Sequence, residues 1–543
     1  MTMLELLWIK YNKVMRLPVK LVLMLLLSTL VHNQSHAQSS YQPLIFSVNS
    51  FTINGENPIG DKALTVLNPY LGEQHGLEGL SAAADALERA IISAGYSFHR
   101  VSLPPQQLTS GTVEFQIVRF TIGAINISGN KFFDEENIKH SLPFLKPGST
   151  PNTKELSRRL KLANNHASKN VVLKFKEGEA EDAIDAELTV QDQSPQIIFL
   201  TVDNTGSDES EEVRSTVGYQ HGNLFNLDHS ITATLTVAPA DTSATSQIGV
   251  NYHIPMYQHG ANLDFLLSDS EVNSGDVADG AAITGKGSVF GFTYSRPMLS
   301  GTKINHQWSA GFQLKTFEND IDLGGGNTIA SDVLSFPLEL GYGFSYSMKS
   351  GVVSGGLNVA MNLDAGTNNT DEDYAAVRLE AENDWSAIKY NLAYDLVFGE
   401  NWLAHAGISG QNSSDLLIPG EQFGVGGSSS LRGFEERSVT GDSGHQISLE
   451  LWTPSYAGFR FLFFIDQASV ELNAGELTTG VSYDLSSAGL GMRWSWKQQL
   501  SISIDVGVII DGLEVDEGIN SGSSEPINLD DDTKAHFNLI YRF

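Results

Sequence analysis

Two short segments hold the residues with the clearest potential for specific chemistry, a cation in a glycine-rich run and an acid in a strand-like run. The cation is Arg432, in Gly424-Val425-Gly426-Gly427-Ser428-Ser429-Ser430-Leu431-Arg432-Gly433-Phe434, and the acid is Asp466, in Phe464-Ile465-Asp466-Gln467-Ala468. Arginine presents a planar fork that binds a carboxylate through two hydrogen bonds. Gly433 allows backbone torsions or a close approach that a side chain would block. These residue types are able to form an ion pair, but taken alone the common tripeptide Arg432-Gly433-Phe434 favours an exposed loop cation unrelated to Asp466.

Enzymatic chemistry has little support in this sequence. The patterns G-x-S-x-G and H-E-x-x-H and a phosphate-binding loop do not occur, and the 14 His residues are scattered. The chain has no Cys, which excludes disulfides, thiolate metal sites and cysteine nucleophiles. We therefore expect no catalysis and no cofactor. Two acidic runs are predicted to be solvated loop tips, although flexible carboxylates can also bind calcium; they are Asp371, Glu372 and Asp373, and Asp530, Asp531 and Asp532.

Composition narrows the class of protein further. The chain has 543 residues, a length typical of roughly two to four domains. Asp and Glu total 64 against 33 Lys and Arg, for a formal net charge of −31. This balance disfavours nucleic-acid binding, because phosphate contacts need clustered cations. The mean hydropathy is −0.12, and beyond the N-terminal segment no apolar run is long enough for a spanning helix. Such a chain can still cross a membrane with strands that are apolar on one face only.

The N-terminus has the form of a secretory signal peptide. A basic leader precedes an apolar core at residues 21–31, which is too short to span a bilayer. Ser35-His36-Ala37 supplies the small residues that signal peptidase requires, so we predict residues 1–37 as the signal peptide. Met15 would also serve as the start residue, and a retained membrane anchor is the alternative interpretation.

Residues 43–192 contain a repeated pattern of strands and helices. The segment Phe51-Thr52-Ile53-Asn54-Gly55 recurs as Ile125-Asn126-Ile127-Ser128-Gly129. In each copy an alternating strand leads into a turn at the glycine and then into a segment with helical periodicity. The pattern predicts two small α+β modules, at residues 43–119 and 120–192. Such modules can recruit an extended chain by adding it as a strand to a sheet edge, or they can serve only as spacers.

After Pro195, segments with period-two alternation follow one another to the end of the chain. From the third connection onward long and short loops alternate, as in a transmembrane barrel with short periplasmic turns and long external loops. We therefore predict a mainly β protein, with a sixteen-stranded antiparallel transmembrane β-barrel over residues 196–543. The even number of strands places the first and the last residue of the barrel segment on the periplasmic side. The predicted strands are 196–204, 213–221, 229–238, 245–254, 260–268, 286–297, 302–315, 334–346, 351–362, 385–398, 401–412, 445–453, 459–471, 485–496, 500–510 and 534–543.

The last predicted strand is the clearest single segment. Its apolar residues share one face and its polar residues share the other, so one face can meet lipid and the other a wet lumen. The apolar face comprises Ala535, Phe537, Leu539, Tyr541 and Phe543. The alternative is a soluble edge strand that ends in an aromatic residue.

The two modules resemble POTRA (polypeptide-transport-associated) domains. The run Leu103-Pro104-Pro105-Gln106-Gln107-Leu108 is similar to the first POTRA domain of two-partner secretion transporters. The barrel half resembles outer-membrane transporters of the hemolysin-activator type, in the superfamily that includes the barrel-assembly proteins. That superfamily carries a Val/Ile/Leu-Arg-Gly-Phe/Tyr tetrad in its sixth external loop, matched here by Leu431, Arg432, Gly433 and Phe434. Its inner-wall motif F-x-D-x-G on the thirteenth strand is matched by Phe464 and Asp466, with Ala468 in place of the final Gly.

The resemblance implies export of one large secreted partner, a β-helical adhesin or hemolysin, to the surface of a Gram-negative bacterium. It places the barrel in the lipid of the outer membrane and the POTRA domains in the periplasm. It also implies that the sixth loop folds into the lumen, where Arg432 pairs with Asp466. The terminal Phe543 resembles the signal that the barrel-assembly machinery reads.

Two other functions compete with this interpretation, and the sequence departs from the family pattern at one point. An outer-membrane barrel-assembly insertase usually has more or different POTRA modules, and a passive porin would leave two modules unexplained. Relatives often begin with a helix that plugs the barrel. Here the segment between Ala37 and the first predicted strand is too short for such a helix, so another element is expected to limit leakage.

Overall fold

The computed structural model describes residues 45–206, 211–242, 245–271, 274–278, 281–283, 286–299, 304–318, 320–322, 328–330, 332–513 and 530–543. The predicted signal peptide, residues 1–37, and the segment that follows it lie outside these described residues. The described chain forms two compact units. One contains the residues through Ala90 together with Arg100–Ile117, and the other contains Ile91–His99 together with Val118–Phe543.

The first module has a three-stranded sheet in which β2 pairs in parallel with β5 and β4 lies on the far side of β5. A parallel pair needs a crossover connection, which the two helices supply. On β5, Val113, Phe115 and Ile117 alternate with less buried residues, as a strand with one covered face requires. The elements are β1 (Ile45–Val48), β2 (Ser50–Asn54), α1 (Lys62–Leu67), β3 (Gly72–His75), α2 (Glu78–Ser93), β4 (His99–Ser102) and β5 (Thr112–Arg119).

The second module repeats this plan, with the sheet order β6-β8-β7 and β6 parallel to β8. Side-chain oxygens of Asp134 and Asn152 accept hydrogen bonds from the first backbone amides of its two helices and so fix where those helices begin. The elements are β6 (Thr121–Ser128), α3 (Glu135–Ser141), α4 (Thr153–Ala163), β7 (Lys169–Glu177) and β8 (Ala183–Asp192). The repeated glycines of the sequence are equivalent in the fold, since Gly55 and Gly129 follow the parallel strands β2 and β6 with φ of 89° and 87°.

The rest of the chain forms the closed antiparallel barrel of sixteen strands that the sequence predicts. Strand β20 pairs with the same neighbour as β21, so these two count as one strand of the barrel. The barrel strands are β9 (Gln196–Asp203), β10 (Arg214–Leu224), β11 (His229–Val237), β12 (Ser246–Met256), β13 (Ala261–Glu271), β16 (Lys286–Leu299), β17 (Ile304–Glu318), β20 (Val333–Ser335) with β21 (Pro337–Ser347), β22 (Gly351–Asn362), β23 (Ser386–Phe398), β24 (Trp402–Asn412), β27 (Ser443–Trp452), β28 (Phe459–Leu472), β29 (Val481–Trp496), β30 (Leu500–Asp511) and β31 (Thr533–Arg542).

Closure is made by β31 against β9, in a register that places Asn538 opposite Asp203 and Arg542 opposite Phe199. Closing the sheet leaves no unpaired edge, and lipid does not tolerate unpaired edges. The long connections leave the barrel at one rim, here called the loop side. The short turns lie at the opposite rim, the turn side, where the chain enters from the second module.

The two faces of the barrel wall differ as expected for a strand that is apolar towards lipid. On β28, Phe461, Phe463 and Ile465 are each more than half exposed. Phe464 and Asp466, which alternate with them, are buried. This alternation separates an apolar outer surface from a covered inner one. No helix in the described part of the chain is both long and apolar enough to cross a membrane.

The long connections contain ordered elements that the sequence pattern does not predict. One is a short helix, α5 (Asp371–Val377), in a connection predicted to be a solvated acidic tip. Its acids have a local structural use, because Asp373 forms a capping box with Thr370 and Asp371 accepts a hydrogen bond from the Asn383 amide. The other additions are three short hairpins, β14 (Ser274–Ala278) with β15 (Ala281–Ile283), β18 (Asp320–Asp322) with β19 (Thr328–Ala330), and β25 (Phe423–Val425) with β26 (Val439–Gly441).

Candidate functional site

The site is built on the connection between β24 and β27, the eleventh and twelfth strands of the barrel, which spans residues 413–442 and is called the sixth loop below. The antiparallel pair β25 and β26 narrows this loop into a hairpin. Residues 426–438 form its tip, which contains the Leu431-Arg432-Gly433-Phe434 tetrad. The contacts of this tip are with inner-facing residues of the barrel strands, so the sixth loop folds back into the lumen.

Arg432 and Asp466 form a bidentate pair, in the arrangement that the resemblance implies. Nε and Nη2 of Arg432 donate to the two carboxylate oxygens of Asp466 at 2.7 and 2.8 Å. The backbone amide of Arg432 also donates to Asp466 Oδ2 at 3.3 Å. Arg432 is 5% exposed and Asp466 is fully buried, so water does not screen this pair as it would at a surface.

Three further wall residues complete the surroundings of the guanidinium. Nη1 of Arg432 pairs with Glu450 Oε1 at 2.7 Å, and Nη2 donates to Ser448 Oγ at 3.1 Å. The guanidinium also stacks over the ring of Phe464, 3.7 Å from its centroid. Each of the three guanidinium nitrogens therefore has a polar partner on the wall. A polar cavity of about 320 Å³ lies beside this cluster, lined in part by Ser430 and Arg493.

At Gly433 the backbone of the loop packs directly on the barrel wall. Its φ is +100°, a conformation that residues with a Cβ rarely adopt. Its amide donates to Nε2 of His536 on β31 at 3.1 Å. A Cβ added at Gly507 of β30 would lie 2.7 Å from the Gly433 nitrogen. Both glycines are thus required by the contact between the loop and the wall.

Leu431 and Phe434 flank the charged pair and are fully buried. They pack into one apolar cluster with residues of the sixth loop and of three wall strands: Val425, Val439, Ala468, Val470, Leu485 and Ile509. Ala468 stands where the related wall motif has Gly, and its methyl group lies inside this cluster. The departure from the motif therefore adds apolar contact beside the ion pair without disturbing it.

Two buried ion pairs hold the base of the sixth loop. Lys315 of β17 pairs with Glu421 Oε2 at 2.9 Å, and Ser335 donates to the other oxygen of that carboxylate at 2.8 Å. Arg378, just after α5, pairs with the fully buried Asp442 at the start of β27, where Nη2 donates to Oδ2 at 2.7 Å. At the tip, Glu435 pairs with Lys534 of β31. The loop is therefore held at its base by β17, β20 and the neighbouring external connection, and at its tip by β31.

Comparison with known proteins identifies the class of molecule. Residues 182–494 match the family model described as haemolysin secretion/activation protein ShlB/FhaC/HecB, and residues 46–119 match the model of the ShlB-type POTRA domain. The chain belongs to the haemolysin secretion/activation family. Among its relatives, the heme/hemopexin transporter protein HuxB of Haemophilus influenzae strain 86-028NP is 20% identical over 486 residues, 84% of this chain and 82% of the relative. The outer membrane transporter CdiB of Dickeya dadantii is 21% identical over 485 residues, 87% of this chain and 85% of the relative.

Solved structures of this family have the same fold. CdiB from Escherichia coli superposes with a TM-score of 0.74 at 16% identity, covering 94% of this chain and 93% of its own. CdiB from Acinetobacter baumannii gives a TM-score of 0.66 at 17% identity, with 97% of both chains covered. As a member of the haemolysin secretion/activation family, the protein is an outer-membrane transporter of the two-partner secretion type, with its POTRA region in the periplasm and a secreted protein as partner. The loop side of the barrel is therefore external and the turn side periplasmic.

A second buried charge cluster lies where the second module meets the turn side. Lys169 of β7 and Asp228 of the turn after β10 pair at 2.5 Å, and both side chains are fully buried. Asp228 also accepts hydrogen bonds from Asn137 at 2.8 Å and from the Tyr257 hydroxyl at 2.6 Å. Burial lowers the pKa of Lys169, although Asp228 opposes this effect. Burial also raises the pKa of the Tyr257 hydroxyl well above its ordinary value, so this group remains a donor. The cluster anchors the second module to the barrel.

The terminal Phe543 lies at the barrel seam. Its amide donates to the Ile198 carbonyl of β9 at 2.9 Å, and its ring packs edge-on against Tyr541. The ring is 71% exposed, so it remains available at the periplasmic end of the last strand. The contact places the predicted assembly residue next to the strand pair that closes the barrel.

The sequence interpretation missed several members of these sites. Glu450, Ser448 and His536 surround the tetrad but belong to no motif. Their one signal is the period-two pattern, because Ser448 and Glu450 are successive inward positions of β27, opposite Asp466 and Phe464 of β28. Lys169 and Asp228 had no signal of this kind, since one lies in the second module and the other in a turn of the barrel.

Proposed function

We propose that this transporter exports one large unfolded partner protein, and that Arg432 and Asp466 hold the sixth loop in the position that secretion requires. The single observation that supports this role is the full set of partners around Arg432, namely the bidentate contact with Asp466, the ion pair with Glu450 and the stacking on Phe464. A buried arginine with this many partners is costly to displace. The tetrad Leu431-Arg432-Gly433-Phe434 and the wall residues Phe464 and Asp466 then act as one secretion motif.

The partner is proposed to be a β-helical adhesin or hemolysin that reaches the periplasm unfolded. We assign residues 43–119 and 120–192 to two POTRA domains that recruit it, and residues 196–543 to the barrel. An extended chain can add a strand to the free edges of their sheets, β2 and β4 in the first and β6 and β7 in the second. The periplasm contains no ATP, so folding of the partner outside the cell makes the passage irreversible.

Biogenesis follows from the same assignment. Residues 1–37 are proposed to direct the precursor across the inner membrane and to be removed there. The barrel-assembly machinery is proposed to insert the barrel after recognising the strand that ends at Phe543. The protein is proposed to act without catalysis and without a cofactor, because its chemistry is that of binding and conformational control.

Two other functions compete with secretion. A barrel-assembly insertase and a passive porin both use outer-membrane barrels. The match of residues 46–119 to the ShlB-type POTRA domain favours secretion over insertion. The many anchors of the sixth loop inside the lumen disfavour a permanently open pore.

The decisive experiment combines deletion of the gene with complementation. Deletion should remove one large protein from the culture medium, and the wild-type gene should restore it. Arg432→Ala should still yield an inserted, heat-modifiable barrel in the outer membrane but should abolish export. Lys349→Ala changes an exposed cation in a periplasmic turn and should export normally. Near-normal export by Arg432→Ala would refute the proposed role of the motif. Loss of many barrel proteins from the membrane on deletion would instead identify an insertase.

A further inference from the structure

We propose that the periplasmic rim of the barrel carries a binding site for an anionic phospholipid, shared between the lipid-facing wall and helix α4 of the second module. The site is a cavity of about 450 Å³. It is lined by three arginines and an aromatic side chain, Arg158, Arg159, Arg296 and Trp308, with His259 and His306 beside them. No part of the secretion motif touches this cavity.

The first step of the argument is which face of the wall the cavity adjoins. In the register of the sheet, Arg296 of β16 lies opposite Trp308 of β17, and Trp308 lies opposite Tyr342 of β21. Residues in one such row share one face of the sheet. Trp308 and Tyr342 are 36% and 45% exposed. On β17 the residues of opposite parity face the lumen, since Lys315 reaches Glu421 of the sixth loop. The row of Arg296 therefore faces lipid.

The second step is the depth of this row. Trp308 lies near the start of β17 and Tyr342 near the end of β21, both at the turn side. Tryptophan and tyrosine are enriched where a bilayer meets water, at the level of the headgroups. Arg296 is thus a lipid-facing cation at headgroup level in the periplasmic leaflet. Within the described part of the chain it forms no hydrogen bond or ion pair.

The third step is the charge that helix α4 contributes. Arg159 is held in place by its bonds to Glu155 at 2.6 Å and to the Tyr257 carbonyl at 2.7 Å. Arg158 contacts the same carboxylate only at 3.5 Å and is about half exposed. Three arginines therefore face a single acid, Glu155, in a chain whose net charge is −31. Such a local excess of cations calls for an anionic ligand.

The chemistry of the lining selects the ligand. An arginine fork matches the oxygens of a phosphodiester, and basic pockets beside spanning elements bind lipid headgroups. The apolar outer wall continues directly from the cavity, with Phe292 opposite Phe312 in the same lipid-facing register. A phospholipid can fill both parts, its phosphate in the cavity and its acyl chains along this wall. A free phosphate would use only the first part. The bound lipid would thereby tie the second module to the membrane surface.

The test uses the purified full-length protein in detergent and native mass spectrometry, with dioleoylphosphatidylglycerol and dioleoylphosphatidylcholine as probes. We expect retention of phosphatidylglycerol at least ten times stronger than that of phosphatidylcholine. The double variant R158Q/R296Q should lose this preference, while Lys349→Gln, on another periplasmic turn, should keep it. Unchanged heat-modifiable mobility of the variants would establish that their barrels are intact.

Two further outcomes would overturn the proposal. Equal retention of both lipids by the wild type would mean that charge does not select the ligand. Competition by glycerol phosphate at the concentration of the lipid would mean that the cavity binds a free anion. The test reads lipid retention alone, so its failure leaves the proposed secretion function unaffected.

Discussion

Gly507 of β30 presents its bare Cα to the backbone of Gly433, so close that a single methyl group at Gly507 would meet the Gly433 nitrogen and the Arg432 carbonyl group at 2.7 to 2.8 Å. The sixth loop therefore reaches its position in the lumen because two glycines, far apart in the sequence, allow backbone to pack on backbone. The same contact brings Arg432 within reach of Asp466. The fit of main chains and the ion pair depend on each other.

We predict that Gly507→Ala displaces the tip of the sixth loop without unfolding the barrel. The added methyl group meets backbone atoms that have no freedom to rotate away, and overpacking of this kind costs about 1–3 kcal/mol. Because the chain has no Cys, a Ser429→Cys reporter at the tip can be labelled without background. Gly507→Ala should raise its rate of labelling. Gly343→Ala, on β21 where an added Cβ would meet only atoms at 3.7 and 3.9 Å, should leave that rate unchanged, and equal rates in both variants would contradict the prediction.

The two acids around Arg432, Asp466 and Glu450, should contribute different amounts to the stability of the folded barrel. Asp466→Asn removes a bidentate partner and should destabilise the folded barrel by about 3–5 kcal/mol, because a buried cation loses its main counter-charge. Glu450→Gln removes one contact and should cost less, since the Asp466 pair remains. Thermal unfolding in detergent, followed by heat-modifiable mobility, measures both. Glu400→Gln, at an exposed turn residue, is the matched control. The interpretation fails if Glu450→Gln proves more damaging than Asp466→Asn.

The junction between the second module and the barrel should depend on Asp228. Asp228→Asn leaves Lys169 buried without a counter-charge and should loosen the junction by about 3–5 kcal/mol, and asparagine tolerates the φ of +61° at this position. Limited proteolysis of the connecting residues 193–195 should become faster. The double variant Lys169→Met with Asp228→Asn removes both charges and should recover much of the resistance, because no buried charge is left without a partner and asparagine still offers an oxygen to the Tyr257 hydroxyl. Failure of the double variant to recover any resistance would argue against a charge-based junction.

Acidification should weaken the same junction through His166. Burial lowers the pKa of His166 below 6.5, although its bond to the Gly222 carbonyl and the charge of Asp228 oppose this shift. Its Nδ1 accepts a hydrogen bond from the Ser168 amide at 3.1 Å, so protonation there would break this bond. The folded state therefore binds fewer protons than the unfolded state as the pH falls below 6.5, and stability decreases until the folded pKa is passed.

The measurement is unfolding of wild type and of His166→Gln at pH 7.5, 6.5 and 5.5. The wild type should lose more stability on acidification than the variant, because glutamine does not titrate. The difference between the two proteins removes the contribution of all other titrating groups. Parallel curves for the two proteins would contradict the assigned role of His166.

The acidic runs illustrate how far local patterns extend. The sequence predicts solvated loop tips for both runs, and Asp530, Asp531 and Asp532 are indeed exposed. Asp371 and Glu372 are exposed as well, but this run also begins helix α5, which the pattern does not predict. Helix α5 leads to Arg378, which pairs with Asp442 of the sixth loop. A helix of seven residues is too short for its periodicity to be recognised in the sequence. Its stability comes from packing, with Tyr374 and Trp385 in a buried cluster.

What the sequence alone determines about this protein follows from patterns of short range. Period-two alternation and the spacing of the loops predict sixteen strands and their approximate ends. Every strand of the barrel has one face towards lipid and one towards the lumen, so each carries the same alternating pattern. The Arg432–Asp466 pair follows from the resemblance of the tetrad and the wall motif to those of the family, and the planar fork of arginine suits a carboxylate in a confined space. Only the tertiary structure decides that Glu450, His536 and Gly507 complete that site, that Lys169 meets Asp228, and that Arg296 shares a cavity with helix α4. These residues meet through the closure of the sheet and the docking of one module on another, and the register of strands distant in the chain leaves no local trace in the sequence.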